Sequence, residues 1–170
     1  DVLAFARGAS DVFVQRVLVN DFASEAQELI GQMYRDSGLD WEVQANYRGV
    51  ARFDRIKLLR VVQNMARNAR DAMVDQPEER PRRFCFVVDE EGDELVLTFS
   101  DTGPGVPAEF QHRLFEAFAT TGKKDGTGLG LAMVKQFAEV HGGTVSYHDT
   151  PGGGATFAMR IARETRGAAR

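Results

Sequence analysis

Three glycines alternate with Thr127 and Leu129 in Gly126-Thr127-Gly128-Leu129-Gly130-Leu131, and the amphipathic run AMVKQFAEV follows at once. No other stretch constrains the chain as much. Glycine lets the backbone turn its N–H groups inward with no side chain in the way. A helix starting at about Leu129 adds its own free N–H groups and the positive end of its dipole. Together they predict a cradle for an anion, such as the phosphates of a nucleotide. A single glycine motif is equally a turn that caps a helix, so the rest of the chain has to decide.

Composition narrows the field. The 170 residues, 43% hydrophobic, can bury one core and predict one main domain. Lys+Arg 21 against Asp+Glu 25 leaves a net charge of −4, which points away from nucleic acid and from anionic membrane surfaces. The lone Cys85, inside FCFVV, permits no internal disulfide and reads as a core residue. No apolar run reaches transmembrane length and no signal-peptide pattern opens the chain. The expected location is cytoplasmic, without membrane contact by this segment, in a parent protein that membrane anchoring would not contradict.

Apolar patterning divides the chain. DVLAFARG (1–8) reads as the end of an upstream helix, so residues 1–10 are taken as that helix and a linker. DVFVQRVLV (11–19) is rich in β-branched residues and predicts a strand. Phe22, Ala26, Leu29, Ile30 and Met33 give a helical period from Asp21 to Ser37, stopped by Gly38. LDWEVQANY (39–47) alternates as a half-buried strand, and Val50 to Phe53 is a second short one. Asp54 then caps a long helix to about Val74, with Ile56, Leu59, Val62, Met65, Ala69 and Met73 as its core face. RFCFVV (83–88) and ELVLTFS (94–100) form a hairpin around EEGD, and TVSYHD (144–149) and ATFAMRI (155–161) a second around PGGG. The arginine-rich tail (163–170) predicts disorder. Hairpins mixed with helices, rather than regular βαβ units, predict an α/β (α+β) two-layer sandwich. Its mixed, mostly antiparallel sheet would be covered on one face by about three helices.

Two further motifs bear chemistry. Asn64 and Asn68 lie four apart on the long helix, with Asp71 three further on, all on one polar flank. Asparagine is a weak helix former whose amide competes for the backbone, so two in mid-helix invite a functional reading. The strand 94–100 runs straight into Asp101-Thr102-Gly103-Pro104-Gly105-Val106-Pro107. Phe115 and Phe118 follow, three apart, and GKKDG leads back to the first motif.

This ordered quartet resembles the ATP-binding fold shared by gyrase-type topoisomerases, the MutL repair proteins, a heat-shock chaperone and the sensor histidine kinases. Within it the pattern is similar to a histidine kinase catalytic and ATP-binding domain. NMARNARDAM (64–73) stands as the N box, DTGPGVP as the first glycine box, LFEAFATT as the F box and DGTGLGL as the second glycine box. The resemblance covers residues 11–162 and implies a Bergerat ATP-binding fold. It also implies ATP and Mg²⁺ as cofactors and transfer of the γ-phosphoryl group to a protein histidine.

Each position has a physical task under that reading. Asp101 accepts a hydrogen bond from the adenine amino group, which guanine lacks at that place. Gly103 and Gly105 let the backbone pass close to the base, with Val106 beside them. Asn68 offers an amide oxygen to Mg²⁺, a hard cation that keeps several waters, and Asn64 helps order the ion. Relatives that hydrolyse ATP carry glutamate at the place of Asn64, as a base that activates water. Asparagine takes no proton, which favours transfer to imidazole, already a nucleophile when neutral. Residues 106–126 are similar to a mobile ATP lid, with Phe118, Thr120 and Thr121 facing the nucleotide. Lys123 and Lys124, two of the four lysines, would reach the β- or γ-phosphate. Gly126, Thr127, Gly128, Leu129, Gly130 and Leu131 hold the phosphates.

The chain departs from the family in places. Asp71 stands where many histidine kinases carry lysine or arginine, with Arg67 and Arg70 nearby as compensating charges. Gly154-Ala155-Thr156-Phe157 stands where the family often has Gly-Thr-x-Phe, which makes Thr156 the candidate hydroxyl by the adenine. His112, His141 and His148 read as structural. The phosphoacceptor histidine is therefore expected on an upstream dimerisation domain, with a response regulator receiver domain as the next partner and a monomeric state for this segment alone. An energy-coupled ATPase and a non-catalytic nucleotide-sensing module are the competing readings.

Overall fold

The computed structural model describes residues 12–117 and 130–165. The helix end and linker assigned to 1–10 lie outside those residues, as do 166–170. In chain order the elements are β1 (Gln15–Leu18), α1 (Val19–Tyr34), β2 (Asp40–Ala45), β3 (Val50–Phe53), α2 (Arg55–Met73), β4 (Arg83–Glu91) and β5 (Glu94–Asp101). They continue with α3 (Ala108–Gln111), α4 (Gly130–Val140), β6 (Thr144–Asp149) and β7 (Ala155–Ala162).

Five strands form the main sheet in the order β2-β4-β5-β7-β6. Only β2 and β4 run parallel; every other pair is antiparallel. The period of two along a strand sends alternate residues to opposite faces. Phe84, Phe86 and Val88 of β4, Leu95, Leu97 and Phe99 of β5, and Phe157, Met159 and Ile161 of β7 are all buried on one of them. Phe86 and Phe99 are register partners and stack with centroids 4.7 Å apart. Phe22 and Ile30 of α1, Val62, Met65 and Ala69 of α2, and Val134 and Phe137 of α4 join these strands in one continuous core. Phe22, Phe53, Phe84, Phe86 and Phe99 are each at most 1% exposed, and burying one such ring stabilises by roughly 1.5–3 kcal/mol. The predicted two-layer architecture is the one observed.

Three local expectations are corrected. The strand expected over 11–19 pairs only over Gln15–Leu18, because its partner β3 is four residues long and lies in a separate two-stranded sheet. Val19 already opens α1, and its N–H donates to Gly49 O at 2.9 Å. On α2 the core face is turned toward Leu58, Val61 and Ala66, leaving Ile56 57% exposed. Both stripes satisfy the same spacing, and packing against the sheet selects one. The tail is ordered at its start. Arg163 N–H donates to Asp93 O and Arg163 O accepts from Arg52 N, both at 2.8 Å, while Glu164 bridges to Arg52. Thr165 is buried, and its hydroxyl donates to Ala162 O at 2.9 Å. The contacts at Arg52 satisfy the open edge of β3, and Arg163 also pairs with Glu90.

One buried polar contact ties the helical layer together. Asp54 caps α2 by accepting from Lys57 N at 3.1 Å, and its other oxygen accepts from Phe13 N at 2.9 Å. The Asp54 N–H donates to Nε2 of His141, at 3.0 Å, just past the end of α4. His141 Nδ1 therefore carries the proton and donates to Phe137 O at 2.9 Å. Helix α4 ends in a Schellman turn, with Gly142 N on Glu139 O, Gly143 N on Ala138 O and Gly142 at φ +70°.

His141 is 1% exposed, and burial pulls its imidazole below the ordinary range. The unfolded chain then takes up that proton at a higher pH than the folded one. The His141 contribution is complete above the unfolded value of ~6.5 and is lost as pH falls through the lower folded value. Replacing His141 with Ala leaves the Asp54 N–H without its acceptor and opens a cavity, at a cost of about 2–3 kcal/mol. Urea melts across pH 5–8 check both parts. Wild-type stability should fall on the acid side, and H141A should be less stable at pH 7.5 with that part of the pH dependence missing.

Candidate functional site

The described motif residues converge because α2 has one face to spare. Asn64 and Asn68 are half-buried on the flank of the buried stripe, and Ala72 follows Asn68 by four residues, about 6 Å further along the helix. A Cβ built on Gly130, the first residue of α4, would lie 3.8 Å from Asn68 Nδ2. A Cβ on Gly103 would lie 3.4 Å from Ala72 Cβ and 2.9 Å from Asp101 Oδ1. One helix flank thus links the N-terminus of α4 to the turn after β5.

Asp101 ends β5 and is 8% exposed. Its Oδ1 accepts from Gly103 N at 2.8 Å and from Ala155 N, at the start of β7, at 3.2 Å. The carboxylate is held from two strands. Gly105 adopts φ +75°, and a Cβ there would come within 3.2 Å of Gly154 O. Val106 N donates to the Tyr147 hydroxyl at 3.0 Å, and that hydroxyl donates to Asp149 at 2.7 Å. Burial and the Asp149 carboxylate push the Tyr147 phenol above its ordinary value, so it stays a donor. The register pairs Thr156 with Ser100, which puts Ala155 rather than Thr156 beside Asp101. Thr156 reaches it through Thr150: the two hydroxyls are 2.8 Å apart, and Thr150 donates to Asp101 O at 3.2 Å.

Asp71 lies on the exposed side of α2 and meets Arg70 at 3.8 Å. Arg70 also donates to Met33 O of α1 at 3.4 Å, so it is turned away from Asn68. Tyr34, buried at the end of α1, donates to Ala66 O at 2.7 Å. Its phenol is held far above the ordinary range by burial and, next, by the charge of Asp101. Phe115 packs edge-on to Phe157 with centroids 6.2 Å apart, against the core. Leu131 packs against the core. Phe118, Thr120, Thr121, Lys123, Lys124, Gly126, Thr127, Gly128 and Leu129 lie outside the described residues.

Sequence reasoning did not single out Tyr147, Thr150 or Gln76. Each acts on a backbone group between Asp101 and Val106, and no periodicity or motif marks such a residue. Two surface grooves lie elsewhere, one by Trp41 on α1 and one of about 370 Å³ between α1 and α2. Neither contains a motif residue.

A profile of the family described as Histidine kinase-, DNA gyrase B-, and HSP90-like ATPase matches residues 53–165. The chain belongs to that family. Within it, the sensor histidine kinase TmoS of Ectopseudomonas mendocina is 38% identical over 109 residues, 64% of this chain and 11% of that protein. The nitrogen regulation protein NtrY of Azorhizobium caulinodans is 38% identical over 105 residues, 61% of this chain and 14% of the relative. The chain thus spans a small part of the relatives it matches. Full-length ShkA in complex with AMPPNP superposes with a TM-score of 0.82 at 27% identity, over 98% of this chain and 35% of that one. The nucleotide-free catalytic domain of histidine kinase ThkA superposes with 0.77 at 21% identity, over 89% and 99%. The mixed, mostly antiparallel sheet with its helices is the architecture of histidine kinase catalytic domains.

Close approach at the PGGG turn yields a test of the frame. Gly154 sits at φ +121°, and a Cβ on it would lie 1.9 Å from Asp101 O, whereas one on Gly152, at φ +88°, meets nothing within 4 Å. G154A should therefore cost about 3 kcal/mol or more by displacing the Asp101 strand end. G152A carries only the left-handed backbone strain of about 1 kcal/mol. Guanidinium melts of the two variants should differ by that margin.

Proposed function

We propose that residues 11–165 form the ATP-binding catalytic domain of a sensor histidine kinase. It would transfer the γ-phosphoryl group of ATP to a histidine on a dimerisation domain of the parent protein. The supporting observation is the single α2 flank that joins Asn68, beside the first residue of α4, to the Asp101 turn. One end suits phosphates and a cation, the other a purine edge, and one helix joins them.

The roles follow from chemistry. The Asp101 carboxylate, with several lone pairs, accepts from the adenine amino group while Gly103 leaves room for the ring. Asn68 fits a magnesium ion: its amide is half-buried at the N-terminus of α4, and hard cations take neutral amide oxygens readily. Asn68 is neutral, so the phosphates of the nucleotide would supply the negative charge around that ion. Bound ATP supplies the reactive phosphoryl group. The chain contributes position and charge stabilisation, most of what phosphoryl transfer asks of a protein. Asn64 cannot act as a base toward water, which leaves imidazole as the favoured acceptor. The relatives' description as sensor kinases supports a response regulator as the next acceptor. ATP chemistry of this kind places the domain on the cytoplasmic side. Among the described residues no helix is long and apolar enough to cross a membrane.

Two measurements test the reading. Asp101→Asn should weaken ATP binding in calorimetry by about 1.5–3 kcal/mol, and Asn68→Ala should remove the Mg²⁺ dependence of binding. Unchanged affinity in D101N would refute the adenine role. With γ-labelled ATP and the parent's dimerisation hairpin, acid-labile, base-stable label should appear on the hairpin. Binding without transfer would favour a nucleotide-sensing module, and free phosphate released by the domain alone would favour an ATPase.

A further inference from the structure

The loop between α2 and β4, together with Arg83 at the start of β4, holds the DTG turn through Thr102. Thr102 N–H donates to Arg83 O at 3.1 Å. The Thr102 hydroxyl donates to Pro81 O at 2.7 Å and accepts from Arg83 N at 2.8 Å. The Thr102 carbonyl is held by Gln76, whose Nε2 donates to it at 3.2 Å and to Pro81 O at 3.3 Å. Gln76 is 8% exposed and pinned to the helix end by its N–H on Met73 O at 3.0 Å. Arg82 donates in turn to the Gln76 carbonyl.

The Gln76 bond reaches the site through covalent geometry. The Thr102 carbonyl and the Gly103 N–H belong to one planar trans peptide, so fixing one fixes the direction of the other. Gly103 N–H is the 2.8 Å donor to Asp101 Oδ1. A grip on Thr102 O therefore sets the rotation of the Asp101 carboxylate. Stability alone does not explain this arrangement. Gln76 Oε1 and Arg82 Nε are buried without a hydrogen-bond partner, and such atoms are destabilising. Local rules broken in this way are expected at functional positions.

We propose that Gln76 is a positioning residue for base recognition: through the Thr102–Gly103 peptide it aims the Asp101 carboxylate at the purine 6-amino group. The proposal rests on the adenine role of Asp101 given above. Its test compares ATP with purine riboside triphosphate, which has hydrogen in place of the amino group. Calorimetry gives the ratio of the two affinities in wild type, Asp101→Asn and Gln76→Met, a variant that keeps volume and loses the donor. Wild type should prefer ATP at least tenfold, and D101N should bring the ratio near one. Q76M should lower the ratio at least threefold and leave purine riboside triphosphate binding within twofold of wild type, which a merely structural role would not do. Equal loss for both nucleotides, or no loss, alongside a collapsed ratio in D101N overturns the role of Gln76 alone. An unchanged ratio in D101N overturns the adenine reading and this proposal with it. If Q76M does not fold, Arg82→Met, which removes the donor to Gln76 O, is read by the same ratio and the same limits.

Discussion

Helix α2 can bury only one stripe, and the rest of the structure is arranged around that limit. Leu58, Val61, Val62, Met65, Ala66, Ala69 and Met73 all enter the core. Once they do, Asn64 and Asn68 are committed to one flank and Ala72 to the approach of Gly103. A helix turned by one residue would bury an asparagine amide without partners, at a cost comparable to losing a hydrogen bond or more. The apolar sheet face and the polar flank therefore select the same rotation. The placement of this flank is inherited from packing.

The polar groups inside the helical layer act as locators. His141 joins the end of α4 to the cap of α2, and Tyr34 joins the end of α1 to a carbonyl in the middle of α2. Both are neutral in the folded state, so neither carries a buried charge, and burial itself keeps them that way. Apolar contact alone would let three helices slide along a sheet. Directional bonds at their ends hold α4 and α1 in place against α2, which is what a helix N-terminus beside Asn68 requires.

The DTG turn shows the opposite balance. Gly154 lets the PGGG turn approach Asp101 to a distance that no side chain would permit, and Gly103 and Gly105 leave room for further close contacts. Asp101 is gripped by N–H groups from its own turn and from β7. Such a site is defined by shape, and shape of this kind is maintained at some expense in stability. Unpaired atoms on Gln76 and Arg82 belong to the same pattern.

Much of this was legible in the residues. Alternation marked β2, hairpin turns marked β4 to β7, the three-four spacing marked α2, and Asp54 marked the start of that helix because capping is local chemistry. The ordered quartet of motifs pointed to the family because their spacing along the chain is itself sequence. Three things lay outside its reach. Ile56 and Leu58 fit the helical period equally well, and only contact with the sheet separates them. Residues 163–165 look like a basic tail until the edge of β3 is there to receive them. Gln76, Tyr147 and Thr150 act on backbone groups far away in sequence, so no local pattern carries them. The sequence by itself determined which elements form and the order of the motifs, since propensity, capping and periodicity are short-range. The tertiary structure alone decided which stripe of α2 is buried and which backbone groups orient Asp101, since both depend on surfaces that exist only after the chain has folded.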